Sequence, residues 1–125
     1  MRVQLPMIIA DSRIAEMLEA TVCGYWVEDL TARFGNGAAE ATKYRLDEYP
    51  DWIVAALTPG GEAVLALSLV EGGLDMHVLD RDKIKAGLAL LAETRHWDDF
   101  MCENEDGTTG DVFLQLCLFG EVVFG

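Results

Sequence analysis

The chain is short of bases. Nine Lys and Arg stand against 22 Asp and Glu, a formal charge of −13 on 125 residues. So acidic a surface repels nucleic-acid phosphate and anionic lipid, and it favours basic protein surfaces or cations. The surplus is not a tail, because residues 1–62 hold 10 acids and 5 bases and residues 63–125 hold 12 and 4. Also missing is any apolar run near the roughly 18 residues that suggest a membrane span. The opening Met1-Arg2-Val3-Gln4-Leu5-Pro6 lacks the long apolar region and small-residue cleavage site of a signal peptide. Cysteine is scarce and odd in number: Cys23, Cys102 and Cys117 have no metal-like spacing, which favours reduced, buried thiols in a cytosol.

What is present is a real core. A hydrophobic fraction of 51% is ordinary for a globular protein and too high for an acidic disordered chain. The length suits one domain, 1–125, able to bury roughly two-thirds of its unfolded surface. Met7-Ile8-Ile9 closes a short apolar entry that could be a strand. Asp11 or Ser12 can cap a helix with Ile14, Met17, Leu18 and Val22 at helical spacing and Gly24 as a stop. Tyr25-Trp26-Val27 reads as the start of a strand, and residues 35–42 as a loop.

In the middle, Trp52-Ile53-Val54-Ala55-Ala56-Leu57, the turn Thr58-Pro59-Gly60-Gly61 and the apolar run 63–70 predict a hairpin. Gly72-Gly73 ends the second run, and Met76-His77-Val78-Leu79 adds a short strand. Asp80 stands where the cap of a helix carrying Ile84, Leu88 and Leu91 belongs, with Gly87 implying close packing. Residues 97–111 hold six acids and no base, ahead of the most apolar stretch, 112–119. Thr108 and Asp111 resemble a capping box, which favours a helix there over a buried strand. Such a segment is either central to the core or covered by a second subunit. The whole predicts an α+β domain, largely an antiparallel sheet with two to four helices.

No catalytic or metal site is legible. An EF-hand loop aligned on Gly107 would start at Cys102 and end at Phe113, so only Asn104 and Asp106 fit. His77 and His96 lack partners at zinc-like spacing, and His96-Trp97-Asp98 lacks a nucleophile to serve. The glycine pairs lack the context of phosphate loops. Trp26, Trp52 and Trp97 are flanked by acids, which disfavours nucleic-acid stacking and leaves core anchoring or a small ligand. No cofactor is expected.

The C-terminal third carries a resemblance. Asp80-x-x-Lys83-Ile84-x-x-Gly87-Leu88, His96-Trp97-x-Asp99-Phe100, Glu103-Asn104-x-Asp106, Thr109-Gly110-Asp111-Val112-Phe113-Leu114-Gln115 and Phe119-Gly120-Glu121-Val122-Val123-Phe124-Gly125, with Gly24-Tyr25-Trp26, resemble small acidic proteins of bacteriophages and prophages. The resemblance implies a viral protein in the cytoplasm of a bacterial host, and no mechanism. The expectation is a non-enzymatic binding protein: a counter-defence (anti-CRISPR-like) inhibitor whose acidic face occludes a basic nucleic-acid-binding surface of a host protein. Its candidate binding residues are Trp97, Asp98, Asp99, Phe100, Glu103, Glu105 and Asp106, with Trp97 and Phe100 as apolar anchors. The alternatives are a virion or assembly protein that forms homo-oligomers through 112–124, and a small-molecule (nucleotide) sponge or minor enzyme with a pocket at Tyr25, Trp26 and Gln115.

Overall fold

The computed structural model describes residues 9–21, 26–34, 48–68 and 72–124. In chain order its elements are α1 (Asp11–Ala20), β1 (Val27–Arg33), α2 (Asp51–Leu57), β2 (Glu62–Ser68), β3 (Leu74–Leu79), α3 (Arg81–Leu91), α4 (His96–Met101) and α5 (Gly107–Phe119). The fold class is α+β: five helices and a three-stranded antiparallel sheet among the described residues, one helix beyond the expected range. Residues 7 and 8, Val22, Cys23, Gly24, Tyr25, the loop 35–42 and the end of the run 63–70 lie outside the described residues. Ile9 belongs to no strand.

The chain divides into two compact units, Met1–Val22 with Asp82–Gly125, and Cys23–Arg81. The first is helical. Its centre is α5, buried from Phe113 through Leu118 because nearly every position is apolar. A helix hydrophobic nearly all round needs cover nearly all round, and within this chain Phe113–Leu118 are buried while Asp111, Val112 and Phe119 stay partly exposed. On α1 the inward stripe is Ile14, Ala15, Met17 and Leu18, and on α3 it is Ile84, Gly87, Leu88 and Leu91, both at helical spacing. Two glycines set how closely helices approach α5. A Cβ on Gly87 would collide with the Cys117 sulfur and lie 2.8 Å from Cys117 Cα, and one on Gly110 would lie 2.7 Å from the Met17 carbonyl oxygen. The close packing expected at Gly87 is therefore real, and its partner is α5.

Cap positions differ from expectation. Helix α1 starts after Ala10, with Asp11 inside its first turn and no side chain capping it. Helix α5 is capped by Asp106, whose Oδ1 accepts from Thr109 N (3.0 Å) and Thr109 Oγ1 (3.3 Å). Thr108 sits inside the first turn, so the helix begins earlier than the Thr108–Asp111 pair suggested. At the other end Gly120, at φ 75°, donates to the Leu116 carbonyl and closes the helix.

The second unit is the sheet, in the order β1-β2-β3, with helix α2. Central β2 is buried from Ala63 to Leu67, which its unbroken apolar run dictates. It pairs with β3 in the register Val64↔Val78 and Ala66↔Met76, and with β1 through Leu30↔Leu65, with a bulge between Val27 and Asp29. Residues 52–57, expected as a strand, form helix α2 instead. The Pro50 carbonyl accepts from Ile53 N (3.0 Å) and Val54 N (3.2 Å), Asp51 occupies the first turn, and Ala55 and Ala56 are strong helix formers. The far end is closed by Arg81, whose Nη1 donates to the Leu57 carbonyl at 2.6 Å. Thr58-Pro59-Gly60-Gly61 thus joins a helix to a strand, and the antiparallel partners β2 and β3 are joined through 69–73, which include the Gly72-Gly73 pair at positive φ.

Candidate functional site

The acidic segment spans α4, the connection 102–106 and the start of α5, all within the helical unit. Helix α4 is only six residues long and ends in a tight turn. Asn104 N donates to the Asp99 carbonyl (2.7 Å) and Glu103 N to the Phe100 carbonyl (3.2 Å), the two bonds of a Schellman motif. The left-handed position in that motif is filled by Glu103 at φ 58°, the one non-glycine residue at positive φ among those described. A side chain there costs backbone strain that glycine would avoid.

This geometry sorts the seven candidate residues into two sets. Phe100 is 1% exposed and belongs to the core, so it is not the surface anchor expected. Its ring instead carries Trp97 on one side, with centroids 5.4 Å apart, and the Arg13 guanidinium 4.9 Å from its centroid. Glu105 is the ion-pair partner of Arg13: Nη1 to Oε1 is 2.6 Å and Nη2 to Oε2 is 3.1 Å, a two-pronged pair. Arg13 also donates to Glu16 Oε2 (2.6 Å) and to the Phe100 carbonyl (2.6 Å), tying α1 to α4. That guanidinium holds the Glu105 carboxyl below its usual range, while Glu105 pushes Arg13 up. Asp106 is spent on the α5 cap, and the Thr109 amide lowers its carboxyl in turn. Of the candidate acids, Asp98, Asp99, Glu103 and the capping Asp106 are exposed and only Glu105 is partly buried, and half-buried Trp97 lies on the same short helix as Asp98 and Asp99. Among the described residues neither Asp98 nor Asp99 has a side-chain hydrogen bond or ion pair, and Glu103 is 3.9 Å from Arg13 Nε.

Beside this surface is a small open cleft of about 150 Å³, lined by Ile9, Ala10, Arg13, Phe100 and Met101. Neither the cleft nor the role of Arg13 is visible in the sequence. The Arg13–Glu105 pair bridges 92 positions, which no local pattern reveals. The pair His77 Nε2–Asp75 Oδ2, 2.8 Å apart on β3, was legible in principle, because alternate residues of a strand share a face.

Other expected features resolve as follows. Gln115 is fully buried with every polar function of its amide occupied. Nε2 donates to Asp111 Oδ2 (2.9 Å) and the Phe124 carbonyl (3.1 Å), and Oε1 accepts from Val123 N and Phe124 N, both 2.7 Å. It clasps the C-terminal segment and has nothing left for a nucleotide. Trp26 is likewise buried. Cys117 is buried, which pushes its thiol up, whereas Cys102 is exposed, against the expectation of a buried thiol. Among the described residues no three His, Cys, Asp or Glu side chains converge as metal ligands, and no helix is long and apolar enough to cross a membrane. No protein-family model, curated protein or solved structure matches the chain.

Proposed function

We propose that the protein acts by binding, presenting the carboxylates of Asp98, Asp99 and Glu103 to a basic surface of another protein. The observation that carries this reading is the division of labour among the acids. Glu105, Asp106 and Asp111 are used in ion pairing, capping and hydrogen bonding, while among the described residues Asp98 and Asp99 have no side-chain partner and Glu103 makes only a long 3.9 Å contact with Arg13 Nε, all three being exposed. A net charge of −13 adds long-range attraction for cationic surfaces and speeds encounter. The partner surface that suits it is one where Arg and Lys grip nucleic acid, so that docking excludes the nucleic acid. In the phage context implied by the C-terminal resemblance, this is a counter-defence inhibitor acting in the cytoplasm of the bacterial host.

Native mass spectrometry of the protein purified gently from a bacterial host identifies the partner as a defined mass increment. The affinity of that complex is then measured at 0.1 and 1 M salt and with Asp98→Lys/Asp99→Lys. The reading expects steep loss with salt and with charge reversal. Affinity unchanged at 1 M salt overturns it, and a bare homo-oligomer in the spectrum favours an assembly role through 112–124, where Val122 and Val123 are exposed.

A further inference from the structure

The cleft beside α4 has the composition of an anchor site. Its walls are Ile9, Ala10 and the half-exposed Met101, and its floor is the Phe100 ring with the Arg13 guanidinium stacked on it. Its volume, about 150 Å³, matches that of a cavity known to accept a benzene-sized apolar group. The cation in the floor is not available to an anionic ligand. Three carboxylates, Glu16, Glu103 and Glu105, already face that one guanidinium, so the surroundings carry surplus negative charge. Asp98 and Asp99, exposed on the same short helix just before Phe100, add to it. Methionine at the rim supplies an unbranched, polarisable side chain that adapts to differently shaped apolar groups.

We propose that this cleft receives one apolar side chain of a partner segment whose neighbouring residues are Lys or Arg. The proposal rests on the binding reading above and specifies its geometry: an apolar anchor enters between the start of α1 and Met101, and the flanking cations meet Glu16, Asp98, Asp99 and Glu103. Charge supplies approach and orientation, and the buried anchor supplies residence, since truncating a desolvated apolar anchor is what typically costs most affinity at such interfaces.

The test is an amide-correlation NMR titration of the full chain in 50 mM salt with three peptides: acetyl-Lys-Lys-Leu-Lys-Lys-amide, the same peptide with serine for leucine, and acetyl-Ser-Ser-Leu-Ser-Ser-amide. The leucine–lysine peptide is expected to shift Arg13, Phe100 and Met101 and to bind about tenfold tighter than the serine–lysine peptide. Met101→Gln, at an exposed rim position, should remove most of that difference while leaving the serine–lysine peptide unaffected. Equal binding of the two lysine peptides, with shifts only at 98, 99 and 103, overturns the cleft as an anchor site and leaves the acidic-surface reading standing. Failure of both lysine peptides to bind overturns both. Equal binding of the uncharged leucine peptide overturns the role of the acidic rim. Concentration-dependent shifts at the cleft without peptide, or nuclear Overhauser effects from residues 1–8 to Phe100, replace the proposed occupant with a second copy or with this chain's own first residues.

Discussion

Arg13 pairs with Glu105, bonds Glu16 and the Phe100 carbonyl and covers the Phe100 ring, so its removal is costly. Arg13→Ala strips Glu105 of its partner and uncovers the Phe100 ring, so a loss of roughly 1–3 kcal/mol is expected in urea unfolding. Acid should reproduce part of that loss. Glu105 and Asp106 are held below their ordinary values of 4.5 and 3.8, Glu105 by Arg13 and Asp106 by the Thr109 amide. A carboxyl lowered in the folded state contributes stability above its unfolded value and loses it as pH falls through its folded one. The urea midpoint should therefore decline from about pH 4.5 downward, and Glu105→Gln should make the acid limb shallower while lowering stability at neutral pH. Glu103 argues in the opposite direction. At φ 58° it occupies a position suited to glycine, so Glu103→Gly should raise stability by about 0.5–1 kcal/mol, readable as a higher Tm. A fall would show that its carboxylate near Arg13 outweighs the strain.

Among elements, α5 decides the helical unit, and its neighbours are fitted to it by absence of side chain. Gly87→Ala places a methyl 2.8 Å from the Cys117 backbone, an overlap only helix displacement can relieve, and a loss of about 1–3 kcal/mol is expected. Cys117→Ala in the same chain removes the sulfur and should restore only part of the loss, because the methyl still overlaps the backbone of residue 117. The Gln115 clasp is tested separately. Gln115→Leu keeps the volume but leaves the amides of Val123 and Phe124 without their acceptor, so hydrogen exchange at those two positions should accelerate by an order of magnitude or more while α5 stays protected. Helix α2 carries a different lesson. An apolar run of six reads equally as a buried strand or a buried helix, and the deciding signals are the residues just before it, Pro50 and Asp51.

For the whole molecule the controlling quantity is charge. At −13 the folded chain repels itself, and salt screens that repulsion more than it weakens the partly buried Arg13–Glu105 pair. Thermal stability should accordingly rise between 20 and 500 mM sodium chloride, followed by circular dichroism. A fall would mean that local ion pairs, rather than net repulsion, dominate the electrostatics of the fold.

Charge, the α+β class, the helix after Asp80, the central strand β2 and the close approach at Gly87 were all legible in the linear chain, because each depends on composition, short-range periodicity or one residue's size. The helical state of 112–119 was legible as the favoured alternative for the same reason. The acidic surface was legible only in outline. Which of its carboxylates are engaged within the fold depends on Arg13, 92 positions from Glu105, and on where α5 begins, a point Asp106 sets by reaching Thr109. Phe100 and Trp97 stand three apart in a six-residue helix, and nothing in their spacing says that one enters the core and the other remains half exposed. Periodicity reports which residues share a face; only packing against a distant part of the chain decides which face is inward, and that choice was the tertiary structure's to make.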